Sequence, residues 1–278
     1  MPITPSPLRY PGGKTKLYNI VRHIVNQNAL CGCTYVEPFG GGAGLALKLL
    51  YAGDVSRIVI NDADCMVYSF WYAVLNHTDA LCSFVADTKI SVETWLRMRN
   101  LCYGGGDGVS TLELAQATLF LNRVNVSGIL KGGLIGGMQQ QGKYKLDARF
   151  NREEIIKKIQ KVAERKEHIF LTGMDIFDFL KSDIFQRSCG VRSLVNFDPP
   201  YYGKGKSLYN KYFEEDDHRK LREAIGKLQG NWILTYDDCE FIRKLYEDYP
   251  KVSLNVSYGT RVGVVARELM FYSRGLSV

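Results

Sequence analysis

The sequence predicts an α/β protein: a doubly wound, mainly parallel sheet interrupted by an inserted, mainly helical module. Three observations predict it. Short apolar runs of strand length alternate with amphipathic helical patterns up to about residue 65 and again from residue 151. Several of these runs end on an acidic residue, and the first leads straight into the glycine stretch Glu37-Pro38-Phe39-Gly40-Gly41-Gly42-Ala43-Gly44. Residues 66–150 instead hold helical patterns and loops. The domain reading is therefore 1–65 and 151–278 as two parts of one sheet domain, with 66–150 inserted between them.

Near the N-terminus, the glycine loop 8–17 opens a helical pattern through Ile20, Ile24 and Val25. Gly13-Lys14-Thr15 invites a triphosphate loop, but the first glycine of that motif would fall at Leu8 and no strand precedes it, so triphosphate binding is rejected. A glycine loop with a lysine at a helix start can still hold a carboxylate, and Tyr10 can cover an aromatic ring. The strand 34–37, its glycine turn and a helix over 45–51 form an arrangement in which backbone approaches a ligand because side chains are missing. Gly40 and Gly42 fit the dinucleotide spacing, but Leu45 stands where a third glycine would fall. That shorter form suits a nucleoside without a pyrophosphate, a merely tight turn being the alternative. The strand 57–61 ends at Asp62, about twenty residues beyond the turn, where a carboxylate bonds a ribose diol. Asp64 is read as the cap of the next helix.

Helical patterns over 67–75, 80–86, 92–101 and 112–121 follow, with Gly104-Gly105-Gly106-Asp107-Gly108 as a flexible loop. From Asn122 the chain runs through Arg123, Asn125, Gly128 and Lys131 into a glycine- and glutamine-rich run ending at Gln141. Its amides, arginines and glycines suit a loop that orders in a DNA groove, a mobile linker being the plainer reading. Beyond it, 151–166 reads as a charged helix with a solvated face, and 169–172 as a strand ending near Asp175. Asp175 either accepts from an adenine amino group or caps the helix over 176–180. His218, beside Asp217 at the start of a helix running to Leu228, invites a general-base reading, but an exposed imidazole next to a structural cap is the expectation. Strands over 193–197, 231–236, 252–257 and 268–272 and a helix over 240–249 complete the sheet.

Asp198-Pro199-Pro200-Tyr201 is the stretch around which the chain is organised. It follows the buried run 193–197, at the edge where open α/β sheets bind ligands. Two prolines lack N–H groups and hold φ, so the loop cannot join the ladder and its carbonyls keep set directions. Carboxylate, carbonyl and aromatic ring suit a planar base bearing an exocyclic amino group. Asp198 and the Pro199 carbonyl each accept one amino hydrogen, Pro200 stiffens the turn, and Tyr201 stacks on the ring. Accepting both hydrogens localises the nitrogen lone pair, and the amine becomes a nucleophile. By composition this tetrapeptide arises by chance in such a chain on the order of once in a thousand; a plain strand-ending turn is the bland alternative.

The chain of 278 residues is 46% hydrophobic, which is ordinary for a globular protein, and its formal charge of +7 favours a polyanionic partner. Lysines interleave with tyrosines over 143–145 and 204–212, a mixture that touches phosphates and stacks on bases, although a solvated loop has the same composition. No stretch approaches the roughly 20 apolar residues of a membrane span, and the N-terminus lacks the regions of a secretory signal. The seven cysteines are scattered without Cys-x-x-Cys pairs, which points to reduced thiols in a cytosol and against zinc.

Together these segments resemble the Dam-type, D12 class of DNA adenine-N6 methyltransferases. The resemblance covers nearly the whole chain. It rests on Tyr10-Pro-Gly-Gly-Lys14, Glu37-Pro38-Phe39-x-Gly-x-Gly, Asn61-Asp62, Asn122-Arg123 with Gly128, Asp198-Pro-Pro-Tyr201, Tyr209-x-x-x-Phe213-x-x-x-Asp-His218 and Glu268-Leu269, in that order. It implies a Rossmann-like methyltransferase fold with an inserted target-recognition domain, S-adenosylmethionine as donor and S-adenosylhomocysteine as product, with no metal. By the same resemblance, Tyr10 stacks near the cofactor adenine and Lys14 reaches its methionine end. Pro38, Phe39, Gly40 and Gly42 line the turn, Asp62 holds the ribose, Asp175 holds the adenine edge, and Asp198 serves both target amine and cofactor. Arg123, Asn125, Lys131 and Lys143 are the expected DNA contacts. The run 132–141 departs from that of the family's GATC readers, which puts a GATC target in doubt. The expected partner is double-stranded DNA, with no membrane attachment, for a monomer in the cytoplasm of a bacterial or phage-infected cell. An N4-cytosine or RNA amino-methyltransferase, and a catalytically silent DNA-binding module, are the alternatives.

Overall fold

The computed structural model describes residues 4–10, 12–105, 108–203, 212–257 and 265–278. The lysine- and tyrosine-rich run 204–211, with Tyr209, lies outside the described residues, as do Pro11 and Gly106-Asp107. The chain forms two compact units. Thr4 and the described residues of Gly12–Ala63 and His168–Val278 make up one, and residues 5–10 with those of Asp64–Glu167 the other. Among the described residues no helix is long and apolar enough to cross a membrane.

The first unit is built on a seven-stranded sheet in the order β3-β2-β1-β4-β5-β7-β6. The strands are β1 Cys33–Glu37, β2 Val55–Asn61, β3 Ile169–Thr172, β4 Ser193–Phe197, β5 Asn231–Asp237, β6 Lys251–Ser257 and β7 Val265–Tyr272. β1 to β5 pair in parallel, and β7 runs antiparallel to both β5 and β6. Around the sheet are a 3-10 turn, Lys14–Leu17, and helices α1 Tyr18–Gln27 and α2 Gly44–Ala52. The strand order reverses between β1 and β4, so the switch point of this open sheet lies between the glycine turn after Glu37 and the loop that begins at Asp198.

Strand alternation decides which residues reach that point. Val36, Val195, Phe197, Leu234, Tyr236, Leu269 and Phe271 enter one continuous apolar core. Their neighbours Glu37, Asn196, Thr235, Asp237 and Glu268 therefore face the opposite side of the sheet, because side chains alternate along a strand. The core is closed by α8 Ile176–Lys181, α9 Asp183–Ser188, α10 Glu215–Gly226 and α11 Glu240–Leu245, through Phe179, Phe185, Leu221, Ile225 and Ile242. α9 has no counterpart in the sequence reading. Its only local signal is Ser182, whose hydroxyl accepts from the Phe185 N–H at 3.2 Å. α11 ends at Leu245, short of the expected 249.

The second unit packs α3 Cys65–Asn76, α4 Thr78–Asp87, α5 Val92–Tyr103, α6 Thr111–Val124 and α7 Arg152–Ala163. Asp64 caps α3 by accepting from the Met66 N–H at 2.9 Å, as expected. Ser110 and Glu113 form a reciprocal capping box on α6. The alternating pattern assigned α7 to the sheet domain; it packs instead against α3 and α4. Ile155, Ile159 and Val162 are buried there, and the Arg152 guanidinium closes the end of α4 by donating to the Val85, Ala86 and Thr88 carbonyls. An amphipathic helix buries its apolar stripe on whichever surface offers one, and the sequence pattern does not say which.

Asn61, the last residue of β2 and only 1% exposed, ties three strand ends together. Its amide donates to the Pro38 carbonyl at 3.1 Å and the Met174 carbonyl at 3.0 Å, and its oxygen accepts from Thr172 Oγ1 at 2.8 Å and the Met174 N–H at 2.9 Å. Asn61→Ala leaves these buried groups unpaired and is expected to lower the unfolding free energy by roughly 2–4 kcal/mol, seen as a lower urea midpoint. Asn61→Asp should cost no less, because a carboxylate cannot donate to the two carbonyls. A wild-type midpoint in Asn61→Ala would contradict the assignment.

Candidate active site

The glycine turn after β1 is shaped by close packing. A Cβ on Gly40 would lie 2.3 Å from Ile60 Cγ2 and 3.2 Å from the Asn61 carbonyl, so a larger residue would have to move the end of β2. Gly40 N–H donates to that same carbonyl at 2.8 Å. Gly41 and Ala43 both have positive φ, and α2 starts immediately after them. Asp62 Oδ2 accepts from the Gly41 N–H at 2.7 Å, which joins the expected ribose carboxylate to the turn. Gly42 is buried within it, and the Pro38 carbonyl is taken by Asn61. Asp175 is the N-cap of α8, accepting from the Phe177 N–H at 2.9 Å. Phe39 and Phe177 flank Phe213, with ring centroids 5.8 and 6.4 Å away. An aromatic wall and two strand-end carboxylates thus stand on one edge of the sheet.

Across the switch point, Asp198 is gripped at both oxygens. Thr235 Oγ1 donates to Oδ1 at 2.8 Å, and Lys14 Nζ lies 3.0 Å from Oδ2. The Lys14 ammonium also donates to the Gly12 carbonyl at 2.8 Å and lies 4.9 Å from the centre of the Tyr201 ring. Lysine is rarely this well buried, 6% exposed in its side chain, unless it is paired. Tyr201 sits with its hydroxyl inward and its ring 6.1 Å from Tyr236. Burial, with the Asp198 and Glu268 carboxylates, pushes its phenol up.

Two further carboxyl groups share this face. Glu37 is buried, and burial followed by the nearby Asp198 charge pushes its carboxyl up to about 8; Tyr35, Asn196 and the Ala46 N–H hold the shift back. Glu37 is therefore largely neutral near pH 7. Glu268 is 1% exposed, and burial raises it, with Lys14 pulling the other way. Burial on this face thus keeps Glu37 largely protonated, while Asp198 is paired with Lys14.

Other residues singled out from the sequence fall elsewhere. Tyr10 lies in residues 5–10, part of the second unit. Arg123 and Asn125, expected at DNA, are buried inside that unit. The Arg123 guanidinium donates to the Pro7 carbonyl, and burial together with Arg9 lowers it to about 10. Asn125 accepts from Trp95 Nε1 at 2.8 Å and donates to the Ile129 and Leu130 carbonyls at 2.9 Å. Both hold the loop from inside, because a buried polar group has to spend its hydrogen bonds internally. Lys131 and Lys143 are exposed. His218 corrects the expected exposed imidazole: it is fully buried, with Nδ1 2.7 Å from Tyr236 Oη, inside a ring of Tyr202, Phe213, Tyr236 and Phe241. Asp217 is part of the cap, forming a reciprocal box with Glu214. Sequence reasoning missed Thr235 and Asp237. Their only signal was two polar positions, i and i+2, at the carboxyl end of a buried strand.

A mainly parallel sheet with an antiparallel β7 inserted between β5 and β6, and a glycine turn and an Asp-Pro-Pro-Tyr loop on either side of its switch point, give this chain a Rossmann-like methyltransferase fold. Residues 10–259 match the family described as D12 class N6 adenine-specific DNA methyltransferase, and the chain belongs to that family. It is 25% identical over 263 residues to the Type II methyltransferase M.MjaIII of Methanocaldococcus jannaschii, covering 87% of this chain and 88% of that one. A solved methyltransferase from Pyrococcus furiosus is 15% identical, with a TM-score of 0.34, over 91% of this chain and 81% of that one. A solved uncharacterized protein from Listeria monocytogenes serotype 4b is 7% identical, with a TM-score of 0.38, over 95% of this chain and 69% of that one. The family match and the sheet carry the assignment.

Glu37 gives this site a measurable pH signature. Its folded value, about 8, lies above the ordinary 4.5, so its contribution to stability is whole below pH 4.5 and is lost as pH rises through about 8. Relative to Glu37→Gln, the wild type should lose roughly 3–5 kcal/mol of unfolding free energy across that window and then level off. Parallel stability-versus-pH curves for the two proteins would contradict a buried neutral Glu37.

Proposed function

We propose that this protein transfers a methyl group from S-adenosylmethionine to N6 of an adenine swung out of duplex DNA, with Asp198 as the catalytic residue. The observation that carries the reading is the position of Asp198: it follows β4, the strand paired with β1, so the amine-gripping loop and the glycine turn open on the same switch point. Membership of an adenine-specific family supports adenine in DNA over cytosine or RNA.

The residues fit the donor chemically. The aromatic wall of Phe39 and Phe177 suits the adenine ring, with Asp175 at its edge. Asp62 beside the turn suits the ribose diol, and Lys14 suits the methionine carboxylate. S-adenosylmethionine supplies a methyl group already activated by its sulfonium and leaves as S-adenosylhomocysteine. The chain's own work is positioning. Tyr201 offers a ring face to the target base, and Asp198 and the Pro199 carbonyl take its two amino hydrogens. The incoming amino group replaces Lys14 at Asp198 Oδ2, which releases the ammonium for the methionine carboxylate. Once methylated, N6 is acidic enough to lose its proton to water, so no strong base is required. Swinging the base out costs a few kcal/mol, which stacking and these hydrogen bonds help offset. On the second unit, exposed Lys131 and Lys143 are the proposed phosphate contacts, with Arg149 and Lys143 beside the exposed ring of Tyr144.

Asp198→Asn and Asp198→Ala should lower methyl transfer to unmethylated genomic DNA on the order of a thousandfold, with DNA retention in a filter assay nearly unchanged. Transfer at the wild-type rate in either variant would overturn the role of Asp198.

A further inference from the structure

We infer that Thr235 and Asp237 are positioning residues for the transfer, forming a two-point clip at the end of β5 that fixes the loop 198–203 against the sheet. The inference rests on the reading of Asp198 as the group that grips the target amine.

The geometry comes from alternation. Leu234 and Tyr236 enter the apolar core, so Thr235 and Asp237 share the opposite face, one pleat apart along the strand. Thr235 is fully buried, and its hydroxyl donates to Asp198 Oδ1 at 2.8 Å. Asp237 Oδ1 accepts from the Tyr202 N–H at 3.2 Å and Oδ2 from the Gly203 N–H at 2.9 Å. The two side chains therefore hold the loop at both ends, on either side of Pro199-Pro200-Tyr201.

A clip is needed because of the prolines. They stiffen the turn internally but supply no N–H, so neither can donate a hydrogen bond that ties the loop to the sheet. Asp237 ties it at the first two residues after Tyr201. Gly203 permits that approach, since a Cβ there would lie 2.9 Å from Asp237 Oδ2. The clip also stands on firm ground. β5 is hydrogen-bonded on both sides, with Leu234 paired to Phe197 on β4 and Asp237 to Glu268 on β7.

Thr235 has a second consequence. With its hydroxyl on Oδ1, the Asp198 carboxylate cannot rotate freely, and Oδ2 is presented to whichever donor enters, Lys14 in the free protein. Without that bond, both oxygens can turn to the ammonium and the acceptor for the amine loses its direction. The loss falls on the transfer step, where orientation matters, more than on binding.

The test is steady-state transfer of labelled methyl from S-adenosylmethionine to unmethylated genomic DNA. Thr235→Val keeps the shape and removes the hydroxyl; kcat should fall on the order of tenfold to a hundredfold, with KM for both substrates within about threefold. Thr235→Ser keeps the donor and should retain most of the wild-type kcat. Asp237→Ala should speed amide hydrogen exchange at Tyr202 and Gly203, and Asp237→Asn less so. A wild-type kcat in Thr235→Val, or an equal loss in Thr235→Ser, overturns the part of Thr235. Unchanged exchange in Asp237→Ala overturns the part of Asp237. An inert Asp198→Asn beside a fully active Thr235→Val removes the clip alone, whereas a fully active Asp198→Asn removes the proposed function beneath it.

Discussion

A buried ammonium held 3.0 Å from a carboxylate is the contact on which this site depends. Lys14 and Asp198 lie far apart in the sequence and meet on a sheet face that also carries Glu37, Asp237 and Glu268. So many carboxyl groups in one low-dielectric place would repel one another if all were charged. The structure answers in two ways: burial raises Glu37 and Glu268, and Lys14 neutralises Asp198. The result is a sheet face on which one cation balances a cluster of carboxyl groups.

Fold and site follow from one pattern. A strand that packs every second residue into a core must aim the others at the opposite side, and β1, β4, β5 and β7 in this way bring Glu37, Asn196, Thr235, Asp237 and Glu268 onto one face. Asn61 locks the ends of β1, β2 and β3 on one flank of the switch point, and Thr235 with Asp237 holds the loop after β4 on the other. Each flank is thus tied to the sheet by side-chain hydrogen bonds. That would suit the proposed transfer, which needs its reacting groups aligned.

Much of this was legible from residues close together in sequence. The strands, the glycine turn, the Asp64 cap and the loop 198–201 are local signals, written in alternation, glycine spacing and proline pairs. Asp175 was legible only as a choice between two roles, because an N-cap and a ligand carboxylate occupy the same place at a strand end. Partners far apart in sequence were not legible. Thr235 lies 37 residues from Asp198 and Lys14 far before it, and no local pattern links them. Burial misled the reading in the same way. Arg123 and Asn125 look like surface polar groups until the fold shows that they close a loop from inside, and His218 looks like a solvent imidazole until four aromatic rings surround it. Helix α7 carries an apolar stripe that names no partner, so its place in the second unit had to come from packing.

The central claim is that the amine gripped by Asp198 is N6 of adenine in DNA. Unmethylated duplex DNA incubated with the protein and isotopically labelled S-adenosylmethionine, then digested to nucleosides and resolved by mass spectrometry, tests it most directly. The account predicts the label in N6-methyldeoxyadenosine. Label in N4-methyldeoxycytidine instead, or no labelled nucleoside from a folded protein that binds the donor, would contradict it.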